Sequence, residues 1–349
     1  MYSGNTPSRM NKEHFNGAIN WISSGELKEH YIADTKEKIS DEAAKTLKML
    51  PIGTFVIAIY GLEADGVRGT GSITKSESTI SQACMAFTSK GKVQNEFLSS
   101  WYKKHGNVIG IRYAQGTKQQ NLSYDIIEKF KIAYPTFQEQ EKLNKFIALL
   151  DERIATQSKI IDKLQSLIKG IRNEIFGKLR KNIGFNAVVG DVLDYEQPQS
   201  YIVENTEYTN EGTPVLTANK AFVLGYTLET DGIYDKGDCI IFDDFTLDCK
   251  YVDFPFKVKS SAIKILTAKN KELLRYTFEF LKYLDLSTEE HKRHYIAETQ
   301  NQEFILPTEQ IVKTIAYIFS TLSLRMETAV KQRDVYEKQK QYLLRQMFI

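Results

Sequence analysis

Two short polar clusters carry the side chains best suited to chemistry in this 349-residue chain. The segment HKRH (291–294) places cationic and partly cationic donors together, which suits phosphate oxygens or a guanine edge. The segment KQQN (118–121) sets amide side chains, which can bind adenine through two hydrogen bonds, beside a basic one. A solvated loop and a polar hairpin are the structural alternatives. The candidate DNA contacts from these clusters are Lys292, Arg293, His294, Lys118, Gln119, Gln120 and Asn121.

A metal-dependent nuclease is the main catalytic alternative. Acidic residues cluster at Asp243, Asp244 and Asp248, although IIFDDF (240–245) is more typical of the end of a strand. The pattern Glu-x-Lys at 290–292 resembles the acidic-plus-lysine set of a nuclease, but such short patterns arise often by chance. The residues that this alternative would use are Asp248 or Asp285 with Glu290 and Lys292.

Motifs for cofactors and metals are missing or incomplete. The glycines at 66, 69 and 71 lack the Lys-Ser/Thr pair of a phosphate-binding loop and indicate a mobile turn. His291 and His294 lie beside Glu290, but two ligands three residues apart without a third make a weak metal site. The sequence has neither an Asn/Asp-Pro-Pro-aromatic motif for adenine methylation nor a glycine fingerprint for a methyl donor. We therefore predict no catalytic residues, no cofactor and no metal.

A long heptad seam must position these clusters. Between Tyr134 and Phe176, apolar residues recur in alternating steps of three and four, with only Gln157 polar in the series. Pro135 and Thr136 suit the start of a helix. A helix from Phe137 to Arg180 would be roughly 65 Å long at ~1.5 Å per residue, so it needs a partner. The predicted pairing positions of this helix are Leu143, Ile147, Leu150, Ile154, Ile161, Leu164 and Ile168.

The partner lies in the same chain, because adding 172 to each position reaches a second copy of the helix. Pro135–Thr136 becomes Pro307–Thr308, and Ile175–Phe176 becomes Met347–Phe348 without a gap. Two amphipathic helices share a hydrophobic period by construction, but here polar identities match as well. The corresponding pairing positions are Ile315, Phe319, Leu322 and Met326.

The stretches before the two helices also resemble each other. LPIGTFVIAIYG (50–61) and YDKGDCIIFDDF (234–245) each predict a turn and a buried strand. A second strand follows at 80–90 and 259–269, an amphipathic helix at 95–104 and 271–284, and a short apolar strand at 131–135 and 303–307. The chain is therefore a twofold repeat of a mixed α/β globule followed by a long helix.

The predicted boundaries follow from this repeat. The second globule opens with FNAVVGDVLDYE (185–196), which predicts a strand and a turn, whereas the first globule starts at Met1 and is expected to lack that opening strand. We predict a first globule over 1–134, a first long helix over 135–184, a second globule over 185–304 and a second long helix over 305–349. The fold class is mixed α/β: two α+β globules separated by two long antiparallel coiled-coil helices.

Composition narrows the functional classes. No apolar run of ~18 residues and no apolar signal core are present, so no membrane span is predicted. The three cysteines lack close pairs, which favours a reducing cytoplasm. Residues 1–134 carry a net charge of +4, residues 185–304 carry −9 and the two helices carry +7. Nucleic-acid binding would therefore rest on local basic patches, and the acidic second globule counts against it.

The ordered motifs resemble the specificity subunits of type I restriction–modification systems. EQEKLNKFIALLDERI (139–154) is similar to that family's first conserved helix, and both helices begin near a proline followed by a Glu-Gln pair. In the first globule, the resemblance rests on GNTPSR (4–9), WISSGELK (21–28), ISQACMAF (80–87) and QQNLS (119–123). In the second globule, it rests on TPVLTANKAFVLGYT (213–227), IIFDDF (240–245), VDFPFKVKSSA (252–262) and EEHKRH (289–294). Ser323, where the first helix has Asp151, is a departure.

The resemblance implies a function without catalysis. Each globule would read one half of a split target in double-stranded DNA, and the antiparallel helices would space the globules. The helices would also dock two modification subunits that methylate adenine and, through them, the restriction subunits. A coiled-coil scaffold without a DNA role is the third alternative. The loops that resemble DNA-facing ones add Arg9, Lys12, Ser23, Ser24, Lys220, Ser260 and Ser261 to the candidate contacts.

Overall fold

The structure is a computed structural model that describes residues 1–218, 221–288 and 293–348. Its contacts divide the chain into two compact units. Unit 1 combines Met1–Thr156 with Arg333–Ile349, and unit 2 is Gln157–Gln332. Each unit therefore contains one globule together with a part of both long helices.

The globule of unit 1 contains eight strands and three helices within its described residues. The elements are β1 (Tyr2–Ser3), β2 (Ile19–Ile22), β3 (Tyr31–Ile32), β4 (Lys38–Ile39), α1 (Asp41–Lys45), β5 (Phe55–Ala58), β6 (Gly71–Thr74), β7 (Ser78–Ile80), β8 (Cys84–Phe87), α2 (Asn95–Tyr113) and α3 (Tyr124–Ile127). One sheet has the order β1-β8-β5-β6-β3 and the other β4-β2-β7. Every side chain of β5 is buried, because its run of branched and aromatic residues lies at the centre of the larger sheet.

The first long helix, α4 (Phe137–Asn182), leads into the globule of unit 2. The elements that follow are β9 (Ala187–Val188), α5 (Val189–Val192), β10 (Leu193–Glu196), β11 (Thr213–Leu216), β12 (Val223–Thr227), β13 (Cys239–Asp243), β14 (Cys249–Val252), β15 (Lys257–Val258), β16 (Ile263–Ala268), α6 (Leu273–Leu284), β17 (Glu303–Phe304) and α7 (Glu309–Met347). The described sheets have the orders β10-β16-β13-β14, β12-β11-β15 and β17-β9.

The two globules repeat the same central strands. In unit 1, β5 pairs antiparallel with β8 and β6, and in unit 2, β13 pairs antiparallel with β16 and β14. The helices α2 and α6 follow at the predicted places. The predicted strands within 50–61, 80–90, 234–245 and 259–269 are therefore confirmed.

One prediction about the edges of the globules needs correction. Residues 131–135 form no strand, whereas their counterpart β17 pairs with β9. A strand requires a hydrogen-bonding neighbour, and residues 131–135 have none. In the first globule β1 pairs antiparallel with β8, as β10 pairs with β16 in the second, and the expected absence of an opening strand stays a prediction.

Local hydrogen bonds begin α4 where the sequence predicts. The Thr136 hydroxyl and main-chain N–H donate to Glu139 Oε2 at 2.7 and 2.9 Å, forming a capping box. Gln140 is fully buried, and its amide donates to the carbonyls of Lys92 and Pro135 at 3.0 Å. Its Oε1 accepts from the Gln94 N–H at 2.8 Å. Gln140 thereby fixes the start of α4 against the start of α2.

The two long helices pair antiparallel within each unit. In unit 1, Lys340 forms an ion pair with Asp151, and the Arg153 guanidinium lies 6.0 Å from the centre of the Tyr336 ring. In unit 2, Gln157 donates to the Ala329 carbonyl at 3.1 Å. Positions earlier in α4 thus meet positions later in α7. All eleven predicted pairing residues are buried or half-buried: Leu143, Ile147, Leu150, Ile154, Ile161, Leu164, Ile168, Ile315, Phe319, Leu322 and Met326.

Corresponding phenylalanines anchor the helices in the two cores. Phe348, just after α7, is 1% exposed and lies 5.1 Å from the Phe97 ring in unit 1. Phe176 of α4 is fully buried and contacts Tyr276 and Phe280 of α6 in unit 2, with ring centres 5.4 Å apart. The 172-residue offset that relates Phe176 to Phe348 in sequence therefore also relates their packing.

Candidate nucleic-acid interface

The amide cluster of the first globule lies on a hairpin at 115–121, which exposes two of its residues and half-buries the other two. Gln115 and Asn121 exchange main-chain hydrogen bonds of 2.9 Å, and Gly116 has φ +111°. A Cβ at Gly116 would lie 2.0 Å from the Gln119 carbonyl, so glycine is required for this turn. Lys118 and Gln119 are exposed at the tip, whereas Gln120 and Asn121 are half-buried. The polar hairpin is therefore present, and its tip holds the two residues best placed for a ligand.

Arg68 is a neighbour that the sequence patterns did not indicate. Its guanidinium donates to Gln120 Oε1 at 2.8 Å, and the Gln120 N–H donates to Glu63 Oε2 at 2.8 Å. Arg68 belongs to the glycine-containing turn, which packs on α2 rather than forming the mobile turn that we expected. A Cβ at Gly69 would lie 2.6 Å from the Asn107 nitrogen, so close packing explains this glycine. Close approach to α2 could not be inferred from the glycine spacing alone.

Arg9 is exposed but already bound to a carboxylate. Its guanidinium donates to both oxygens of Glu37 at 2.9 and 2.8 Å and lies 4.6 Å from the centre of the Phe15 ring. The hydrogen bond to Glu37 raises the pKa of Arg9, and the same bond lowers the pKa of Glu37. Lys12 is exposed nearby. A phosphate would have to replace Glu37 at Arg9, an exchange of low cost because exposed ion pairs contribute little stability.

Of the two serines predicted as DNA contacts in the first globule, Ser23 already forms hydrogen bonds within the globule. Ser23 donates through its hydroxyl and its main-chain N–H to Glu26 Oε2 at 2.7 and 3.0 Å. Glu26 Oε1 accepts from the Lys36 N–H at 2.7 Å. Ser23 and Ser24 are both half-buried. This capping arrangement accounts for Ser23 without a ligand, and DNA contact by either serine stays a prediction.

Two separate motifs of the second globule come together at Arg293. Its guanidinium lies 3.5 Å from the Ser261 hydroxyl and 5.9 Å from the centre of the Phe245 ring, and the side chain is exposed. Ser260 is exposed beside them. Lys220 and Lys292, also predicted as DNA contacts, lie outside the described residues, as do Glu290 and His291.

His294 differs from its neighbour Arg293, because it is 1% exposed and its Nδ1 lies 2.8 Å from Glu298 Oε2. Asp244 Oδ1 accepts from the main-chain N–H groups of His294 and Tyr295 at 3.1 and 2.7 Å. Asp244 also lies 3.3 Å from the Lys264 amine, and both side chains are 1% exposed. The buried imidazole therefore supports the loop from inside, and of the two residues of this motif that the structure describes, Arg293 is the exposed one.

Three of the acidic residues considered for the nuclease alternative, Asp243, Asp244 and Asp248, have structural partners. Asp243 Oδ1 accepts from the N–H groups of Phe245 and Thr246 at 2.9 and 3.0 Å, which ends β13 in a tight turn. Asp248 lies 3.4 Å from the Lys282 amine. In residues 1–218, 221–288 and 293–348, no three His, Cys, Asp or Glu side chains are grouped to hold a metal ion. In the same ranges, no helix combines the length and apolar character needed to cross a membrane.

Both long helices also present large apolar side chains to solvent. Tyr317 is 74% exposed and Tyr342 is 62% exposed. Such side chains lie outside the pairing seam and remain accessible for contacts with other molecules. The exposed set is Phe137, Phe146, Leu149, Ile160 and Leu167 of α4 and Tyr317, Leu324, Val335 and Tyr342 of α7.

Comparison with known proteins finds a family similarity in the larger part of unit 1. Residues 2–166 match the family model described as the type I restriction modification DNA specificity domain. The matched region includes the globule of unit 1 and more than half of α4.

Two curated relatives that match parts of the chain are themselves specificity subunits. The chain is 45% identical over 126 residues to the type I restriction enzyme EcoR124I/EcoR124II specificity subunit of Escherichia coli, covering 34% of this chain and 31% of the relative. It is 25% identical over 207 residues to the MjaIX specificity subunit of Methanocaldococcus jannaschii, covering 58% and 47%. The chain thus spans about a third and about half of the lengths of these relatives.

Solved structures extend the similarity of fold to the whole chain. A type I restriction–modification S subunit from M. genitalium matches with a TM-score of 0.66 and 15% identity, covering 100% of this chain and 93% of that one. A structure from work on assembly and conformational transition of the type I system matches with a TM-score of 0.52 and 13% identity, covering 93% and 90%. The fold is therefore that of S subunits, with two globules and two long helices, as the sequence predicted.

Proposed function

We propose that this chain is the DNA-specificity subunit of a type I restriction–modification complex. Each globule reads one half of a bipartite target, and the long helices set the spacing between the half-sites. The main support for this proposal is the internal repeat, in which each unit combines a globule with part of the antiparallel helix pair. Phe176 and Phe348 occupy matching positions in the two cores. Such internal pseudosymmetry suits one chain that meets two different half-sites and binds two copies of one partner.

The chain acts without catalysis of its own, and modification subunits supply the methyl transfer. The exposed apolar side chains of α4 and α7 support docking of these subunits on the helices, and restriction subunits join through them. The helical segments carry a net charge of +7 and expose these apolar side chains. Light scattering of the co-expressed complex should give two modification subunits per chain at saturation. A single bound subunit would contradict the docking proposal.

Methylome sequencing of cells that carry the full system tests the specificity role. We expect one bipartite adenine-methylated motif that disappears when this chain is deleted and the modification subunits remain. The purified chain mixed with DNA and Mg²⁺ should leave the DNA intact. Robust cleavage would refute the non-catalytic assignment in favour of the nuclease.

Within unit 2, Arg293 offers the sharpest test of DNA contact. Replacing Lys292 and Arg293 with alanine should weaken binding to the recovered motif. Each lost phosphate contact reduces the log–log salt slope by about 0.9, whereas a lost base contact costs about 1–3 kcal/mol and relaxes preference at one position. Lys236→Ala is the matched control, since that exposed amine is already held by Glu196 at 2.8 Å. Equal affinity and equal salt slope in the double variant and the control would show that this loop is solvated and does not contact DNA.

A further inference from the structure

A pocket of about 750 Å³ in unit 1 contains a hydrogen-bonded chain of side chains that the DNA-reading role does not use. The Lys103 amine lies 2.9 Å from His30 Nδ1, and His30 Nε2 lies 2.8 Å from Glu96 Oε2. The Tyr31 hydroxyl donates to Glu96 Oε1 at 3.0 Å. A nucleophile, a base and a carboxylate that orients the base are thus arranged in sequence at one wall of a pocket.

The two partners of His30 define its tautomer. An ionised carboxylate only accepts hydrogen bonds, so Nε2 carries the proton that is donated to Glu96. An ammonium only donates, so Nδ1 presents its lone pair to Lys103. His30 is therefore positioned to take a proton from the Lys103 ammonium. Glu96 acts as a positioning residue that holds the ring in this orientation.

The charges around the amine support the same role. Desolvation within the pocket, followed by the charge of Lys340, lowers the pKa of Lys103 to about 8, although Asp151, Glu96 and Glu29 act in the opposite direction. Part of the Lys103 side chain remains exposed, so small molecules can reach it. The charged residues that line the pocket are Lys28, Lys103, Lys340, Glu29, Glu96, Asp151 and Glu152.

We propose that Lys103 is a covalent capture site for small aldehydes, with His30 as its proton acceptor and donor. Three lysines face four carboxylates in the pocket, so a reaction that removes the charge of Lys103 would leave the carboxylates in greater excess. Acylation of Lys103 would remove that charge. An iminium formed with an aldehyde keeps the charge, which favours the aldehyde as the reacting class.

The reaction is balanced without an oxidant or a reductant. Lys103 Nζ loses a proton to His30, and its lone pair forms a bond to the carbonyl carbon as the carbon–oxygen π electrons move to oxygen. The oxygen then leaves as water with two of the three protons of the original ammonium. The remaining nitrogen lone pair forms the carbon–nitrogen double bond, and the iminium retains the third proton and the positive charge. His30 ends in its starting state.

Reductive trapping on the full chain tests the proposal. The protein is treated briefly with glyceraldehyde and cyanoborohydride at pH 7, and the product is cleaved after glutamate and sequenced by mass spectrometry. The internal reference is Lys118, an exposed lysine of the same chain. A pKa of about 8 leaves roughly a tenth of the amine uncharged at pH 7, against about 0.04% for an ordinary lysine, so we expect at least ten-fold faster labelling of Lys103.

Variants separate the proton transfer from simple exposure. In His30→Gln, labelling of Lys103 should fall about 10- to 100-fold while the melting temperature is retained, because glutamine cannot carry the proton. Lys104→Arg should leave it unchanged, since that amine instead donates to the carbonyls of Arg345 and Phe348. In the native chain, labelling of Lys103 should level off above pH 8. Labelling of Lys103 no faster than Lys118, or equal labelling in His30→Gln, would overturn the proposal.

Discussion

Removing the Glu279 carboxylate should destabilise unit 2 by about 3–5 kcal/mol, because it leaves two largely buried arginines without the carboxylate that neutralises them. Glu279 of α6 is 1% exposed, and its oxygens accept from Arg172 of α4 at 3.0 and 2.7 Å and from Arg275 of α6 at 2.8 Å. The Arg275 guanidinium also donates to the Phe319 carbonyl and the Ser323 hydroxyl of α7. One carboxylate thus links α4 to α6 and, through Arg275, to α7.

The substitution Glu279→Ala tests this network, and Glu279→Gln should give a smaller loss because it keeps the shape and one acceptor. Glu174→Ala is the control, since Glu174 and its partner Lys178 are 65% and 70% exposed and such an exposed pair contributes little to stability. With an m-value of about 2 kcal/mol/M in urea, Glu279→Ala should lower the midpoint of the circular dichroism transition by about 2 M.

Both tryptophans, Trp21 and Trp101, lie in unit 1, so their fluorescence follows a unit that lacks the altered network. The circular dichroism transition should therefore move further than the fluorescence transition. A loss below about 1 kcal/mol in Glu279→Ala, at an unchanged m-value, would show that the arginines find other partners and would refute the argument from burial.

Four further outcomes follow from other parts of the chain. Gly69→Val should lower the free energy of unfolding by at least about 2 kcal/mol, because Gly69 has φ +74° and an added Cβ would lie 2.6 Å from the Asn107 main-chain nitrogen. An unchanged midpoint of denaturant unfolding would contradict this. Gln140→Leu should lower the free energy of unfolding by about 2–3 kcal/mol in the same assay, because the Gln94 N–H and the carbonyls of Lys92 and Pro135 would lose their hydrogen-bond partner. An unchanged free energy would mean that water replaces the amide. Burial opposes ionisation of Glu96, but hydrogen bonds from His30 and Tyr31 and nearby positive charge outweigh it and lower its pKa below 4.5. Its stabilisation is present above pH 4.5 and is lost as the pH falls through the lowered value, so Glu96→Gln should flatten the acid limb of a stability–pH curve. Gln157 and Ala329 are hydrogen-bonded across the helix pair, so one heptad can be inserted after each of them. The insertion should lengthen the helix pair by roughly 10 Å and widen the gap between the half-sites of the methylated motif by about three base pairs. An active complex with an unchanged gap would show that the helices do not set the spacing.

Patterns within a single element were readable from the sequence. The helix α4 begins at the predicted Phe137, because proline, the Thr136–Glu139 capping box and the heptad seam all act within a few residues of one another. The central strands were readable for the same reason, since runs of branched residues specify a buried strand locally. The 172-residue offset also identified matching helices, and the packing of Phe176 and Phe348 follows it.

Contacts between distant segments were beyond such patterns. Residues 131–135 have the composition of a strand but no neighbouring strand to pair with, so strand propensity alone was insufficient. The motif containing Arg293 and His294 reads as one polar cluster, yet the fold exposes the arginine and buries the histidine against Glu298. Solvent exposure of each side chain depends on what packs against the loop, which sequence spacing does not specify.

The sequence by itself therefore determined the repeat, the two long helices, the mixed α/β class and the family resemblance, because each rests on periodicity or on short contiguous motifs. Only the tertiary structure placed Arg68 beside Gln120 and brought His30 to Lys103, residues that are 52 and 73 positions apart. These pairs form through packing of loops and strands on α2. No local pattern encodes them, because hydrogen-bond distance depends on the path of the whole globule between the two residues.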